Sequence, residues 1–233
     1  MSARDNILAR IGSQILRSQT QANIKSGNRP NAPLRADLGV AHRAVREVIA
    51  KHERGPLPGF AKHDPVEHFV AECARVKTTL TEVASLAAVP IEIARYLLTI
   101  ADAQNKLVGW PEFADLDWPS AGLDYQNRPA IGSDLVGVTG CFCAIGETGT
   151  LMLLGARDTP KVTALLPETH ICIVKKSRIV ATMEDAFQLM REEIGEPPRA
   201  TFFVSGPSRT ADIEQTIVIG AHGPYRVHVV FVR

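Results

Sequence analysis

Ala144-Ile145-Gly146-Glu147-Thr148-Gly149-Thr150-Leu151 is the stretch on which the fold reading turns. Residues 135–145 before it are apolar and rich in β-branched side chains, and residues 150–154 after it are apolar again. Two strand-like runs joined by a short turn with two glycines make a hairpin, or two strands meeting at a bend. The same order recurs downstream. The apolar run 200–204 leads into Ser205-Gly206-Pro207-Ser208-Arg209-Thr210-Ala211-Asp212-Ile213-Glu214. The run 216–219 leads into Gly220-Ala221-His222-Gly223-Pro224, and 227–232 is apolar once more. Glycine-bearing turns of this kind gather backbone N–H groups at strand ends, where ligands of α/β sheets bind.

Outward from these turns, helix and strand signals alternate. Asp64-Pro65 supplies an N-cap and an N1 proline, and Val66, Phe69, Val70, Cys73 and Val76 follow at helical spacing. Residues 79–83, 106–108 and 170–174 are strand candidates, and Pro90 opens a helix reaching toward Ala101. Residues 109–129 hold Pro, Asp and Trp and read as a connection with little regular structure. Residues 183–194 form a helix stopped by Gly195 and the Pro197-Pro198 pair. Strands interleaved with crossover helices predict an α/β fold with a mainly parallel central sheet and flanking helices. Before it, residues 2–16 and 37–52 carry helical patterns around a polar stretch at 18–33. The expected organisation is therefore an N-terminal helical extension and linker, 1–60, followed by an α/β domain, 61–233.

The 233 residues carry a formal net charge of +1, so no whole-molecule field favours nucleic acid. No apolar run is long enough to span a bilayer, and the first residues lack a signal-peptide core, so a cytoplasmic location is expected. Cys73, Cys141, Cys143 and Cys172 form no Cys-x-x-Cys pair, which argues against a zinc ribbon or an iron–sulfur cluster and for buried thiols. No metal site is expected.

The candidate ligand-binding residues are Glu147, Thr148, Gly149, Ser205, Gly206, Ser208, Arg209, Thr210, Asp212 and His222. A carboxylate at Glu147 can bind a hydroxyl, move a proton or attack an acyl group, or simply cap nearby N–H groups. The 205–212 turn offers N–H and hydroxyl donors, with Arg209 as a fork for a carboxylate or phosphate, a small-anion or nucleotide-like pocket suited to lactate, a nucleotide or a CoA phosphate, or else with Arg209 as an internal partner of Asp212 or Glu214. His222 sits on a turn and can donate a hydrogen bond or brace the 205–212 segment.

These same residues, with Leu165-Leu166-Pro167, resemble the LUD-domain family, in order and from about Asp64 onward. The Ser-Gly-Pro-Ser-Arg-Thr-Ala-Asp-Ile-Glu run is the specific part of the match. The resemblance implies a sheet like that of the NagB/RpiA/CoA-transferase group. Longer family members carry cysteine motifs for iron–sulfur clusters after this domain, and this sequence has none. The resemblance thus implies a cluster-free accessory component of an L-lactate oxidation system, with the clusters on iron–sulfur partner proteins and no cofactor in this chain. It assigns no catalytic residue. The alternative is an autonomous enzyme of CoA-transferase-like or ATP-dependent ligase-like type using Glu147. The ligand's identity, the partner surface and any homo-oligomer are left open by the sequence.

Overall fold

The computed structural model describes residues 43, 45–51, 55, 64–101, 104–210 and 218–233. The chain divides into two compact units, Met1–Gly55 and Pro56–Arg233. In the first, residues 45–51 are helical. Val45, Val48 and Ile49 are exposed there. The expected helix at 2–16 and the polar stretch at 18–33 lie outside the described residues.

The second unit is α/β. Its central sheet has six strands in the order β1-β12-β7-β4-β2-β3, and every pairing in it is parallel. The strands are β1 (Thr79–Val83), β2 (Lys106–Gly109), β3 (Asp124–Asn127), β4 (Val136–Thr139), β7 (Thr169–Lys175) and β12 (Arg226–Val232). A parallel strand is covered on both faces, which is why β7 and β12 are buried at consecutive rather than alternate positions, His170 and His228 included.

Each face has its own core. On one, Val83, Leu107, Val136, Val138, Ile171, Ile173, Val230 and Val232 pack against α2 (Val89–Leu97) through Val89, Ile93 and Leu97. Phe113 and Trp118, from the β2–β3 connection, complete that layer. On the other, Cys172, Val174, Val227, Val229 and Phe231 meet Phe69 and Cys73 of α1 (Pro65–Arg75) and Ala144, Leu151 and Leu153 of a second sheet. The cap expected at Asp64 is present, its Oδ1 accepting from Val66 N–H at 2.9 Å.

The second sheet has the order β8-β5-β6-β9, with β5 (Cys143–Ile145), β6 (Thr150–Gly155), β8 (Ile179–Val180) and β9 (Ala200–Val204). β5 and β6 are the antiparallel hairpin that the glycine turn suggested, with Ile145 opposite Thr150. The run 135–145 is not one strand, however. Gly140, Cys141 and Phe142 carry the chain from β4 in the first sheet to β5 in the second, a change that uniform apolarity hides. α4 (Met183–Ile194) covers the far face through Ala186 and Met190, packed on Cys143, Ile145 and Met152. α4 starts with a capping box between Thr182 and Asp185. Two short strands, β10 (Arg209–Thr210) and β11 (Val218–Ile219), pair antiparallel. The remaining helix, α3 (Val162–Leu165), packs on β4 and β7. Its Thr163 carbonyl lies 2.0 Å from where a Cβ on Gly137 would stand. The connection 109–129, expected to be irregular, holds the edge strand β3, and α2 ends at Leu97 rather than near Ala101.

Candidate functional site

The glycines of the Gly146–Gly149 turn are explained by packing. A Cβ on Gly146 would stand 2.8 Å from the Pro65 carbonyl, and one on Gly149 (φ +61°) 2.8 Å from Cys73 N. α1 lies directly on this turn, and the Gly146 carbonyl contacts the His68 ring Nδ1 at 2.9 Å. Glu147 is half-buried. Its Oε2 accepts from Met183 N–H at 3.3 Å, at the first turn of α4, where the helix end favours negative charge. Thr148 Oγ1 meets Thr150 Oγ1 at 2.7 Å, which meets Ser205 Oγ at 2.6 Å. A hydroxyl chain thus ties the first turn to the second.

The second turn is built against the other end of α1. Gly206 has φ +86°, and a Cβ there would fall 2.3 Å from the Val76 carbonyl. Ser208 is locked to the third turn: its N–H donates to Pro224 O at 2.9 Å, and its carbonyl accepts from Gly220 N–H at 2.9 Å. Ser208 Oγ receives His222 N–H at 3.4 Å. His222 therefore meets this turn through its backbone. Arg209 and Thr210 form β10, and Arg209 is exposed, with Nη2 donating to Val76 O at 3.4 Å. Asp212 lies outside the described residues.

The expected residues thus fall into two contact groups. Thr148, Thr150 and Ser205 join through hydroxyls. Ser208 and His222 join through the His222 N–H, and the neighbouring Arg209 reaches Val76 O where α1 ends, at the amino edge of the parallel sheet. Glu147 joins neither group by a hydrogen bond, since its carboxylate is turned to α4.

At that amino edge, Lys77, Thr79, Tyr96, Arg209, Tyr225 and Arg226 line a cleft of about 230 Å³. Lys77 has φ +66° and is the lone non-glycine residue at positive φ among the described residues. It is the residue after the C-cap of α1. Thr78 N–H reaches Cys73 O at 2.8 Å and Lys77 N–H reaches Ala74 O at 3.2 Å, a Schellman closure that ordinarily uses glycine. Lysine in that conformation costs roughly 1–2 kcal/mol. Beneath the cleft, the His228 ring stacks on Tyr96 at 3.7 Å and contacts Thr79 Oγ1 at 2.8 Å and Thr81 Oγ1 at 3.1 Å. Burial pushes His228 down to about 4.

The carboxyl edge holds a second cleft, of about 340 Å³, which the sequence did not announce. β2 leaves the sheet toward the α2 face through Phe113, whereas β4 leaves toward the opposite face through β5. Neighbouring strands whose connections diverge in this way open a crevice at their carboxyl ends, the usual ligand position in such sheets. Glu112 follows β2, Gly140, Cys141 and Phe142 follow β4, and Lys175 and Arg178 follow β7; all line the crevice. Lys175 Nζ stands 3.5 Å from Glu112 Oε1, both side chains about half exposed. Arg178 is committed to the wall: its Nε donates to Phe142 O at 2.8 Å and its two terminal nitrogens to Glu193 at 2.6 and 3.0 Å. A hydrogen bond with Cys172 and burial hold the Cys141 thiol well above its ordinary range, while burial pushes Cys143 up to about 12. All four cysteines are free thiols.

One clue to this cleft was present in the sequence. Lys175 is the charged residue that ends an otherwise buried strand, and such a residue marks a strand's carboxyl end. Glu112 carries no comparable local signal.

Comparison with known proteins places this architecture. The LUD-domain family model matches residues 41–232. The chain belongs to the LUD-domain family. The match begins within the segment that the sequence assigned to an N-terminal extension. Lactate utilization protein C of Bacillus subtilis is 28% identical over 208 residues, spanning 81% of this chain and 87% of that protein. The protein of the same name from an Exiguobacterium species is 29% identical over 199 residues, spanning 80% and 86%. Among solved structures, a DUF162 family protein from Deinococcus radiodurans superposes with a TM-score of 0.53 at 25% identity, over 76% of this chain and all of that one. Among the described residues of this LUD-domain protein, no helix is long and apolar enough to cross a membrane.

Proposed function

We propose that this LUD-domain protein serves lactate utilization as an accessory component that holds a small 2-hydroxy acid in the carboxyl-edge cleft. The observation that carries the reading is the Lys175–Glu112 pair across the crevice, with its 3.5 Å separation. A 2-hydroxy acid has a carboxylate, which suits the Lys175 ammonium, and an adjacent hydroxyl, which suits the Glu112 carboxylate as acceptor. The cleft is otherwise charge-balanced, because Arg178 is neutralised by Glu193. A relative named for lactate utilization, aligned over four-fifths of the chain, supplies the identity of the acid.

Oxidation of a 2-hydroxy acid to the 2-oxo acid releases two electrons and two protons. In this reading the electrons pass to clusters of iron–sulfur partner proteins, and this chain binds and orients the acid. The observations favour this over a nucleophilic Glu147, whose carboxylate is taken up at the start of α4.

The test is complementation. A strain lacking this gene and dependent on L-lactate is supplied with wild type, Lys175→Ala, Glu112→Gln or Glu147→Gln. Slow or absent growth is expected for the first two variants at wild-type protein levels, and growth close to wild type for the third. Full growth with both cleft variants would overturn the cleft assignment, and loss confined to Glu147→Gln would favour the autonomous enzyme.

A further inference from the structure

We propose that the amino-edge cleft is a second ligand site, and that it takes the phosphate group of a small organic phosphate. Three cations from three separate chain segments line it: Lys77 beyond α1, Arg209 in β10 and Arg226 at the start of β12. Among the described residues, the carboxylate ion-paired with any of the three is Glu168, 3.8 Å from Arg226. Among the described residues the cleft therefore carries an excess of positive charge, whereas a monocarboxylate needs one cation. A phosphate monoester or diphosphate carries the two or more negative charges that match it. The guanidinium fork of an exposed Arg209 fits its oxygens. The Tyr225 ring, about half exposed, offers an apolar wall for the organic part.

Lys77 supplies an independent argument. It occupies the helix-end position where glycine would be conformationally free, yet its side chain lines the cleft. Backbone strain held in this way concentrates at ligand sites. A plainer account exists: Lys77 and Arg209 lie at the carboxyl end of α1, where cations offset the helix dipole. The two accounts predict opposite behaviour for Lys77→Gly. If the lysine serves the helix end alone, the substitution leaves anion binding untouched. If it serves a ligand, glycine relaxes the backbone and raises the melting temperature while binding falls.

The experiment titrates the full-length chain calorimetrically with inorganic phosphate, pyrophosphate and ADP, with L-lactate as competitor. Saturable one-to-one binding of pyrophosphate or ADP is expected, weakened at least tenfold in Arg209→Ala and in Lys77→Gly, the latter with an unchanged or raised melting temperature. ADP binding more tightly than pyrophosphate narrows the ligand to a nucleotide, and equal affinity narrows it to the phosphate moiety; either supports the site. Absence of saturable binding at millimolar concentrations, affinities unchanged in both variants, or displacement of pyrophosphate by L-lactate overturns it. Lysine 175 lies at the opposite edge, so Lys175→Ala in the same titration keeps this result separate from the lactate reading.

Discussion

At the carboxyl edge of the parallel sheet, charges are closed on themselves: Lys175 faces Glu112 and Arg178 is clasped by Glu193. At the amino edge, Lys77 and Arg209 have no carboxylate partner among the described residues, and Arg226 has a distant one. The edges also differ in how they are built. The carboxyl edge is made by topology, where connections from β2 and β4 part to opposite faces. The amino edge is made by close approach, where Gly206 presses against the Val76 carbonyl at the end of α1. The lesson is that a glycine-rich motif can be conspicuous because a helix lies on it, while the crevice favoured by sheet geometry has no motif at all.

Acid should separate the edges most strongly. His228, beneath the amino-edge cleft, and His170, whose Nδ1 is buried without a partner, are both lowered by burial to about 4. The unfolded chain takes up these protons near pH 6.5, and the folded chain resists them. Their stabilising effect is therefore complete above about pH 6.5 and is lost as pH falls toward 4. Roughly 2 kcal/mol per histidine should be gone by pH 5. Urea denaturation at pH 7.5 and pH 5 measures the difference, and a flat profile would mean that the two rings are not held neutral. Hydrogen exchange under the same conditions should show β1 and β12 loosening before β2 and β3.

Glycine substitution sharpens the contrast next. Gly206→Ala should cost about 2–4 kcal/mol, because positive φ is combined with a clash against the Val76 backbone carbonyl. Gly140→Ala, at the carboxyl edge, meets the ends of the Glu112 and Phe113 side chains at 3.2 Å and should cost less than about 1 kcal/mol. Equal losses in thermal or urea unfolding would erase the distinction between an edge built by approach and one built by topology.

A smaller effect is expected at the hydroxy-acid cleft. Lys175→Ala should weaken L-lactate binding about tenfold, on the order of 1.4 kcal/mol, with stability within about 0.5 kcal/mol of wild type because the pair is exposed. Calorimetry with L-lactate decides this, and unaltered affinity would remove Lys175 from the site. Smallest of all, Glu147→Gln keeps an acceptor for Met183 N–H but removes the charge at the start of α4. It should cost about 0.5 kcal/mol in unfolding experiments. A loss of several kcal/mol would show that the carboxylate does more than cap.

Much of the fold was readable along the chain. The Asp64-Pro65 start of α1, the buried runs of β7 and β12, the β5–β6 hairpin and the whole of α4 follow from capping chemistry, apolar period and turn residues, all of them local. β3 and β8 were not readable, since each is a short edge strand whose residues look like loop until a neighbour pairs with them. The division of 135–145 between two sheets escaped for a related reason: Val138 and Cys143 are equally apolar, and sheet membership is set by partners far away in sequence. The candidate residues were legible as turns but not as a site. Ser208 and His222 touch through a backbone N–H, and Arg209 reaches Val76, whereas Glu147 is turned away to α4 by a contact that no local pattern reports.

By itself, then, the sequence determined the α/β class, the positions of most strands and helices, the burial of Cys73, Cys143 and Cys172 though not of the half-buried Cys141, and the LUD-domain membership. These rest on interactions within about a dozen residues or on a motif long enough to be specific. The tertiary structure alone decided which charges meet. Glu112 and Lys175 are 63 positions apart, and Lys77 and Arg226 join one cleft from opposite ends of the domain. The strand order β1-β12-β7-β4-β2-β3 brings them together, and that order is fixed by the packing of two sheet faces against different helices rather than by any residue's own preference.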